Sequence, residues 1–147
     1  MRIVVDTNIA FSAILNTNSK IARILLQPKS SVKFYSTEQL LTELDNHRDK
    51  IIQLSDYSIE ELEKVRRLIT NKIRFIHVKL IPKDLYIKAE KIVKDIDIDD
   101  TEFVALTEYI KGKLWTGDKE LQKGLALKKW NRIISTEELY QIIILKK

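Results

Sequence analysis

The sequence predicts an α/β sandwich around a parallel sheet, and three observations carry that expectation. Short β-branched or apolar runs alternate with longer helix-patterned segments along the chain. Several helix starts pair Ser or Asp with Gln or Glu three residues on, the signature of a capping box. The chain has 147 residues, 44% of them hydrophobic, with no internal repeat, low-complexity tract or linker-like break. That is enough chain to bury a core, and it suits one domain over residues 1–147.

Taken in order, Arg2 to Val5 reads as a buried strand. Ile9 to Leu26 suits helices broken near Asn16 to Ser19, followed by a loop around Pro28. Val32 to Tyr35 is a second strand, after which Ser36 and Gln39 form a capping box for a helix. Ser58 and Glu61 cap another helix, running to about Asn71, and Ile73 to Val78 alternates like a strand. Pro82 to Lys94 is a helix with Pro near its first turn. Asp99 and Glu102 open a helix through Ile110, with Gly112 as its stop. Lys113 to Thr116 is a strand, Asp118 to Gly124 a short helix, and Arg132 to Ile134 a strand; Ser135 and Glu138 cap the last helix.

Composition excludes several functions. There are no cysteines, which removes disulfide scaffolds, thiolate zinc sites, iron–sulfur clusters and a cysteine nucleophile. Three glycines and no G-x-G-x-x-G or Walker loop remove the glycine-loop phosphate binders. No apolar stretch approaches the roughly 20 residues of a membrane span. The N-terminus has no signal-peptide organisation, so a cytoplasmic protein is expected. Net charge is +5, which favours an anionic partner.

In such folds ligands sit at the carboxyl ends of the strands. Asp6 follows Ile3-Val4-Val5 directly, with Thr7 and Asn8 beside it, and Asp118 repeats the pattern after Leu114-Trp115-Thr116-Gly117. Either Asp could simply cap the helix that follows. Asp95 to Glu102 crowds five acids, which is costly without a counter-cation. Asp99 serves as an N-cap there, and Asp100 is left over in the first turn. On its helix, with about 100° per residue, Glu43 borders the stripe marked by Leu40 and Leu44; an ordinary rim Glu would do the same. Carboxylates converging without His or Cys would make an all-oxygen site suited to Mg²⁺ or Mn²⁺. Two such ions can drive phosphodiester hydrolysis. Lys119, Lys123, Lys128, Lys129 and Arg132 form a candidate basic rim for a nucleic-acid backbone. Trp130 is available to stack a base, although core packing explains it more simply.

These residues resemble a known family. Ile3-Val4-Val5-Asp6-Thr7-Asn8 resembles the opening of PIN-domain ribonucleases. Asp97-Ile-Asp99-Asp100-Thr-Glu-Phe-Val-Ala-Leu and Leu-Trp-Thr116-Gly-Asp118-Lys-Glu-Leu resemble that family's third and fourth acidic motifs in type, order and spacing. Glu43 lies where its second acid is expected. The resemblance spans the chain. It implies a three-layer α/β/α fold and divalent-metal-dependent endonucleolytic cleavage of RNA. It further implies that Asp6, Glu43, Asp100 and Asp118 are the metal-binding acids, with Asn8 and Thr116 as supporting polar groups. Asp99 is the alternative to Asp100 as the third acid. Many small members are VapC-like toxins, so candidate partners are an RNA substrate, an antitoxin protein and a second copy of the chain as a homodimer.

Three other readings fit these residues less well. A haloacid-dehalogenase-type phosphatase needs an acid two residues after the nucleophile, where Asn8 stands and cannot shuttle a proton. A PIN-like adaptor without activity has no reason to keep all the acids. A zinc hydrolase built on Glu43 and His47 is poorly supplied, because the chain has two His and no Cys. Both His47 and His77 are expected at the surface or in packing.

Overall fold

Five strands form one parallel sheet in the order β3-β2-β1-β4-β5. The computed structural model describes residues 1–28 and 30–145. The strands are β1 (Arg2–Val5), β2 (Lys33–Thr37), β3 (Ile73–Ile76), β4 (Lys113–Trp115) and β5 (Ile133–Ile134). The β-branched run Ile3-Val4-Val5 lies at the centre of the sheet and is fully buried. Val4 registers with Tyr35 on one side and Leu114 on the other. A strand covered on both faces needs such a continuous apolar run.

The helices are α1 (Thr7–Leu15), α2 (Lys20–Leu25), α3 (Glu38–Asn46), α4 (Arg48–Ser55), α5 (Ile59–Thr70), α6 (Lys83–Val93), α7 (Thr101–Ile110), α8 (Lys119–Leu127) and α9 (Thr136–Tyr140). The segment Gln141–Leu145 continues α9 as a wider helical turn. Helix α1 packs against α2, α3, α4 and α5, whereas α7 packs on α6 and on β1, β2 and β4. Right-handed crossovers in this strand order put those two groups on opposite faces of the sheet. The result is the expected three-layer sandwich.

Chain direction reverses its progress across the sheet at β1. From β1 the chain moves outward to β2 and β3, then returns to the other side of β1 through α6 and α7. The segments leaving the carboxyl ends of β1 and β4 therefore diverge, which opens a crevice between them.

Local signals explain most helix starts. Ser19 accepts from the Ala22 N–H, and both Ser58 with Glu61 and Ser135 with Glu138 form complete capping boxes. Two expected boxes are absent. Ser36 lies inside β2, fully buried, and its hydroxyl donates to the Val5 carbonyl at 2.8 Å. Pairing with β1 takes that residue into the sheet, so α3 begins only after Thr37, which makes no side-chain capping bond. The Asp99–Glu102 box is also replaced. Asp97 accepts from the Asp99 N–H and opens a single 3₁₀ turn, Ile98–Asp100, before α7 starts at Thr101.

Other boundaries shift as well. The strand expected through Val78 ends at Ile76, and Val78–Leu80 forms a 3₁₀ turn. A separate helix, α4, turns away from α3 at His47, although no sequence signal marked a break there. Helix α8 continues past Gly124 to Leu127, with Gly124 close against the Ile96 side chain.

Gly112 has a different role from a left-handed helix stop. The left-handed residue after α7 is Lys111 (φ 54°). A Cβ on Gly112 would lie 2.5 Å from the Arg2 carbonyl oxygen, a backbone atom that cannot swing away. Gly112→Ala is therefore expected to destabilise the protein by about 1–3 kcal/mol, the usual cost of overpacking. Gly117→Ala is the control in a denaturant titration, because its Cβ would meet only Ile9 Cδ1 at 4.0 Å. Equal midpoints for the two variants would refute this account.

Candidate active site

The four expected acids reach the crevice from four different elements. Asp6 caps α1 directly after β1, and its Oδ1 accepts from the Ile9 N–H at 3.0 Å. Asp118 caps α8 after β4, with Oδ1 accepting from Glu120 and Leu121 N–H at 3.0 and 3.2 Å. Both capping bonds use the same oxygen, so the simple helix-cap reading is true of Asp118 and leaves Oδ2 available. Glu43 comes from α3, at the border of the stripe made by buried Leu40 and Leu44. Asp100 stands at the start of α7 and makes no capping bond.

Together Asp6, Thr7, Asn8, Glu43, Asp97, Asp99, Asp100, Phe103 and Asp118 line a cavity of about 130 Å³. Of the two candidates for the third acid, Asp99 is exposed and Asp100 half-buried. The charge of Asp100 interacts with those of Asp6, Asp118 and Glu43.

Polar neighbours hold these acids. The Thr7 hydroxyl donates to Glu43 Oε1 at 2.6 Å, tying α1 to α3. Gln39 Nε2 donates to the same oxygen at 3.2 Å and to the Asp99 carbonyl at 2.6 Å. Thr116, buried at the end of β4, hydrogen-bonds the Asp6 carboxylate and accepts from the Asp118 N–H at 3.1 Å. That hydroxyl links the two strand-end acids. Asn8 lines the cavity from an exposed position. Sequence reading passed over Thr7, Gln39, Asp97 and Phe103 as members of the site. Thr7, inside the Asp-Thr-Asn run, and Asp97, inside the crowded acidic stretch, carried a local signal; Gln39 and Phe103 carried none.

The charges oppose one another. Asp6 is 3% exposed, and its pKa is pushed up to about 6. Burial is the main cause; bonds from Thr116 and Ile9 pull the other way, and the charges of Asp118 and Glu43 add to the rise. Asp100 is pushed up to about 7, first by burial and then by Asp97, Asp6, Asp118 and Glu43. Among the described residues, no Lys, Arg or His forms an ion pair with Asp6, Glu43, Asp100 or Asp118. Nor, among the described residues, is any group of three acidic or His side chains arranged to hold a metal ion as it stands. The donor set nevertheless fits a hard divalent cation: oxygen ligands only, with negative charge left uncompensated.

The basic rim is smaller than expected. Lys119 and Lys123 are exposed on α8 near the Asp118 end, and among the described residues neither forms an ion pair. Lys128 is paired with Asp95 and donates to the Ile92 carbonyl. Helix α8 spans about 13 Å, so Lys128 and exposed Lys129 sit at its far end from Asp118. Arg132 reaches Glu108 and the Gly112 carbonyl, at the entrance of β4 and thus the opposite end of the sheet. Trp130 is 7% exposed and donates to Glu108 Oε1 at 2.7 Å, so it is a packing residue and cannot stack a base. Both histidines are exposed: His77 accepts from the Lys79 N–H, and His47 meets the Phe11 ring edge-on. Among the described residues, no helix is long and apolar enough to cross a membrane.

The fold is a parallel α/β/α sandwich with acids gathered at the carboxyl ends of its central strands. A family model described as the PIN domain matches residues 4–138, and the chain belongs to that family. Its members are usually nucleases and generally use divalent metal ions. A chain in the crystal structure of VapBC2 from Rickettsia felis, bound to a DNA fragment from their promoter, has a similar fold. The TM-score is 0.67 at 14% identity, covering 92% of this chain and 97% of that one. No match was found among curated proteins.

Proposed function

We propose that this protein is a divalent-metal-dependent endoribonuclease, and that it acts as the toxin of a toxin–antitoxin pair. The observation that carries the catalytic reading is the meeting of Asp6, Glu43, Asp100 and Asp118 in one cavity with no cationic side chain lining it among the described residues. Asp6, Asp100 and Asp118 would hold Mg²⁺ or Mn²⁺, and Glu43 would complete the set. The ion would supply positive charge that neutralises the scissile phosphodiester and acidifies the attacking water.

The chain's own residues do the rest. Thr116 ties the Asp6 carboxylate to the Asp118 backbone, and Thr7 and Gln39 fix the Glu43 carboxylate. Glu43 would either complete the metal site or orient the water for in-line attack on phosphorus, with no covalent enzyme intermediate. Family membership supports nuclease activity, and the likeness to a VapBC chain supports an antitoxin partner.

The direct test is cleavage of a mixed single-stranded RNA pool with Mn²⁺, with EDTA, and by Asp6→Asn with Mn²⁺. Cleavage in the first tube alone is expected. Full activity of the variant would overturn the site assignment.

Backbone contacts make the rate salt-sensitive. The logarithm of kcat/KM is expected to fall linearly with the logarithm of salt concentration. Replacing Lys119 and Lys123 by Gln should reduce that slope by about 0.7 for each lysine. Lys128→Gln should leave it unchanged, since Asp95 already neutralises that ammonium. A slope that responds to Lys128 and not to the other two would place the RNA elsewhere.

A further inference from the structure

Beside the carboxylate cavity lies a second concavity, of about 580 Å³, lined by Val78, Lys79, Leu80, Ile81, Pro82, Lys83, Tyr86 and Glu102. It joins the 3₁₀ turn after β3, the first turns of α6 and the first turn of α7. Glu102 stands two residues after Asp100. At about 100° per residue the two side chains leave the chain in nearly opposite directions. The second concavity is thus the neighbour of the first across the start of α7.

The walls of this second concavity are mainly apolar, with a few placed polar groups, as in sites that orient a small planar ligand. The Tyr86 ring is half-buried, and its phenol pKa is raised first by that burial and then by the charges of Glu102 and Glu90. Glu102 is half-buried, and among the described residues it makes no hydrogen bond or ion pair. Lys79 and Lys83 are exposed at the edge of the pocket. Leu80 is 61% exposed there, an apolar surface open to a partner.

We infer that this pocket binds a guanine of the RNA strand next to the cleaved phosphate. The inference rests on the nuclease reading above. Unpaired RNA bases are recognised by stacking on aromatic rings and by hydrogen bonds to their Watson–Crick edges. Tyr86 supplies the ring. A carboxylate has two acceptor oxygens and no donor. Guanine alone presents two parallel donors on that edge, N1–H and N2–H, to match it. Adenine and cytosine offer a single amino group, and uracil sets carbonyl oxygens beside its one N–H. Lys79 and Lys83 are positioned for the phosphates flanking that base, which gives the pocket charge complementarity to a nucleotide as well as a shape for it.

The test compares two fluorescein-labelled RNA hexamers, uridine throughout except for one central guanosine or adenosine, binding to the protein in EDTA at low salt. The wild type is expected to bind the guanosine hexamer roughly tenfold more tightly, as one bidentate contact allows. Glu102→Gln should erase the preference. Tyr86→Ala should weaken binding of both hexamers roughly tenfold, and Tyr86→Phe should preserve it. Equal affinity of the wild type for the two hexamers overturns the inference, as does a preference that survives Glu102→Gln. Binding insensitive to Tyr86→Ala would overturn it as well. Guanosine-selective binding without cleavage in Mn²⁺ would refute the nuclease reading and leave the pocket standing.

Discussion

Asp6→Asn is expected to abolish cleavage while making the metal-free protein more stable. The loss of activity should be at least about a hundredfold, the scale for removing one preorganised charge-stabilising group. The gain in stability follows from burial. An Asp at 3% exposure with a pKa near 6 is ionised at pH 8 at a cost set by its displacement from the ordinary 3.8. Two pK units correspond to about 3 kcal/mol. Asn has nearly the same shape, caps helices as well as Asp does, and can still accept from the Ile9 N–H. A gain of roughly 2–3 kcal/mol at pH 8 should raise Tm by roughly 5–10 °C in a chain of this size. The advantage should disappear near pH 4, where Asp6 is protonated in the native protein. Calorimetry of both proteins in EDTA at the two pH values decides it. Equal Tm at pH 8 would mean that the Asp6 carboxylate is better solvated than its surroundings indicate.

The second large effect is the pH dependence of the wild type, and its reversal by metal. Asp6 and Asp100 have native pKa values of about 6 and 7, both above the ordinary carboxylate value. Across the interval from about pH 4 to 7 the native state therefore holds more protons than the unfolded chain. Stability falls as pH rises through that interval, and the full penalty is present above it. Asp95 and Glu61 are shifted downward, by Lys128 and by Ser58 respectively, so their small contributions act in the opposite sense, below the ordinary carboxylate range. Mn²⁺ should cancel the penalty at pH 8. At a hundredfold excess over Kd, mass action gives about 2.7 kcal/mol. At pH 5 protons compete for the same oxygens, and the shift in Tm should largely vanish. An inactive adaptor would show no Mn²⁺ shift at either pH.

Much of this site was legible from local sequence, for one physical reason. Asp6 and Asp118 each follow a short buried strand and each caps the next helix, so strand end, turn and cap all lie within a few residues. The capping boxes at Ser58 and Ser135 were legible on the same ground, because Ser and Glu three residues apart satisfy each other without outside help. Ser36 and Asp99 show where that logic fails. Each offered the same local pattern, and each was claimed by a competing bond: Ser36 by the Val5 carbonyl of the neighbouring strand, the Asp99 backbone by Asp97.

The sequence by itself determined the alternation of strands and helices, the buried central strand and two of the four acids at strand ends. Those features depend on neighbours within a turn or a pleat. Only the tertiary structure decided that Glu43 and Asp100 join them, through contacts such as Thr7 to Glu43, 36 residues apart in the chain. It also decided which basic residues are taken up in ion pairs. Lys119, Lys128 and Arg132 look alike in sequence, yet Asp95 takes the second and Glu108 with the Gly112 carbonyl takes the third. Periodicity tells which face of a helix a side chain occupies, and only the packing of the layers tells what lies across from it.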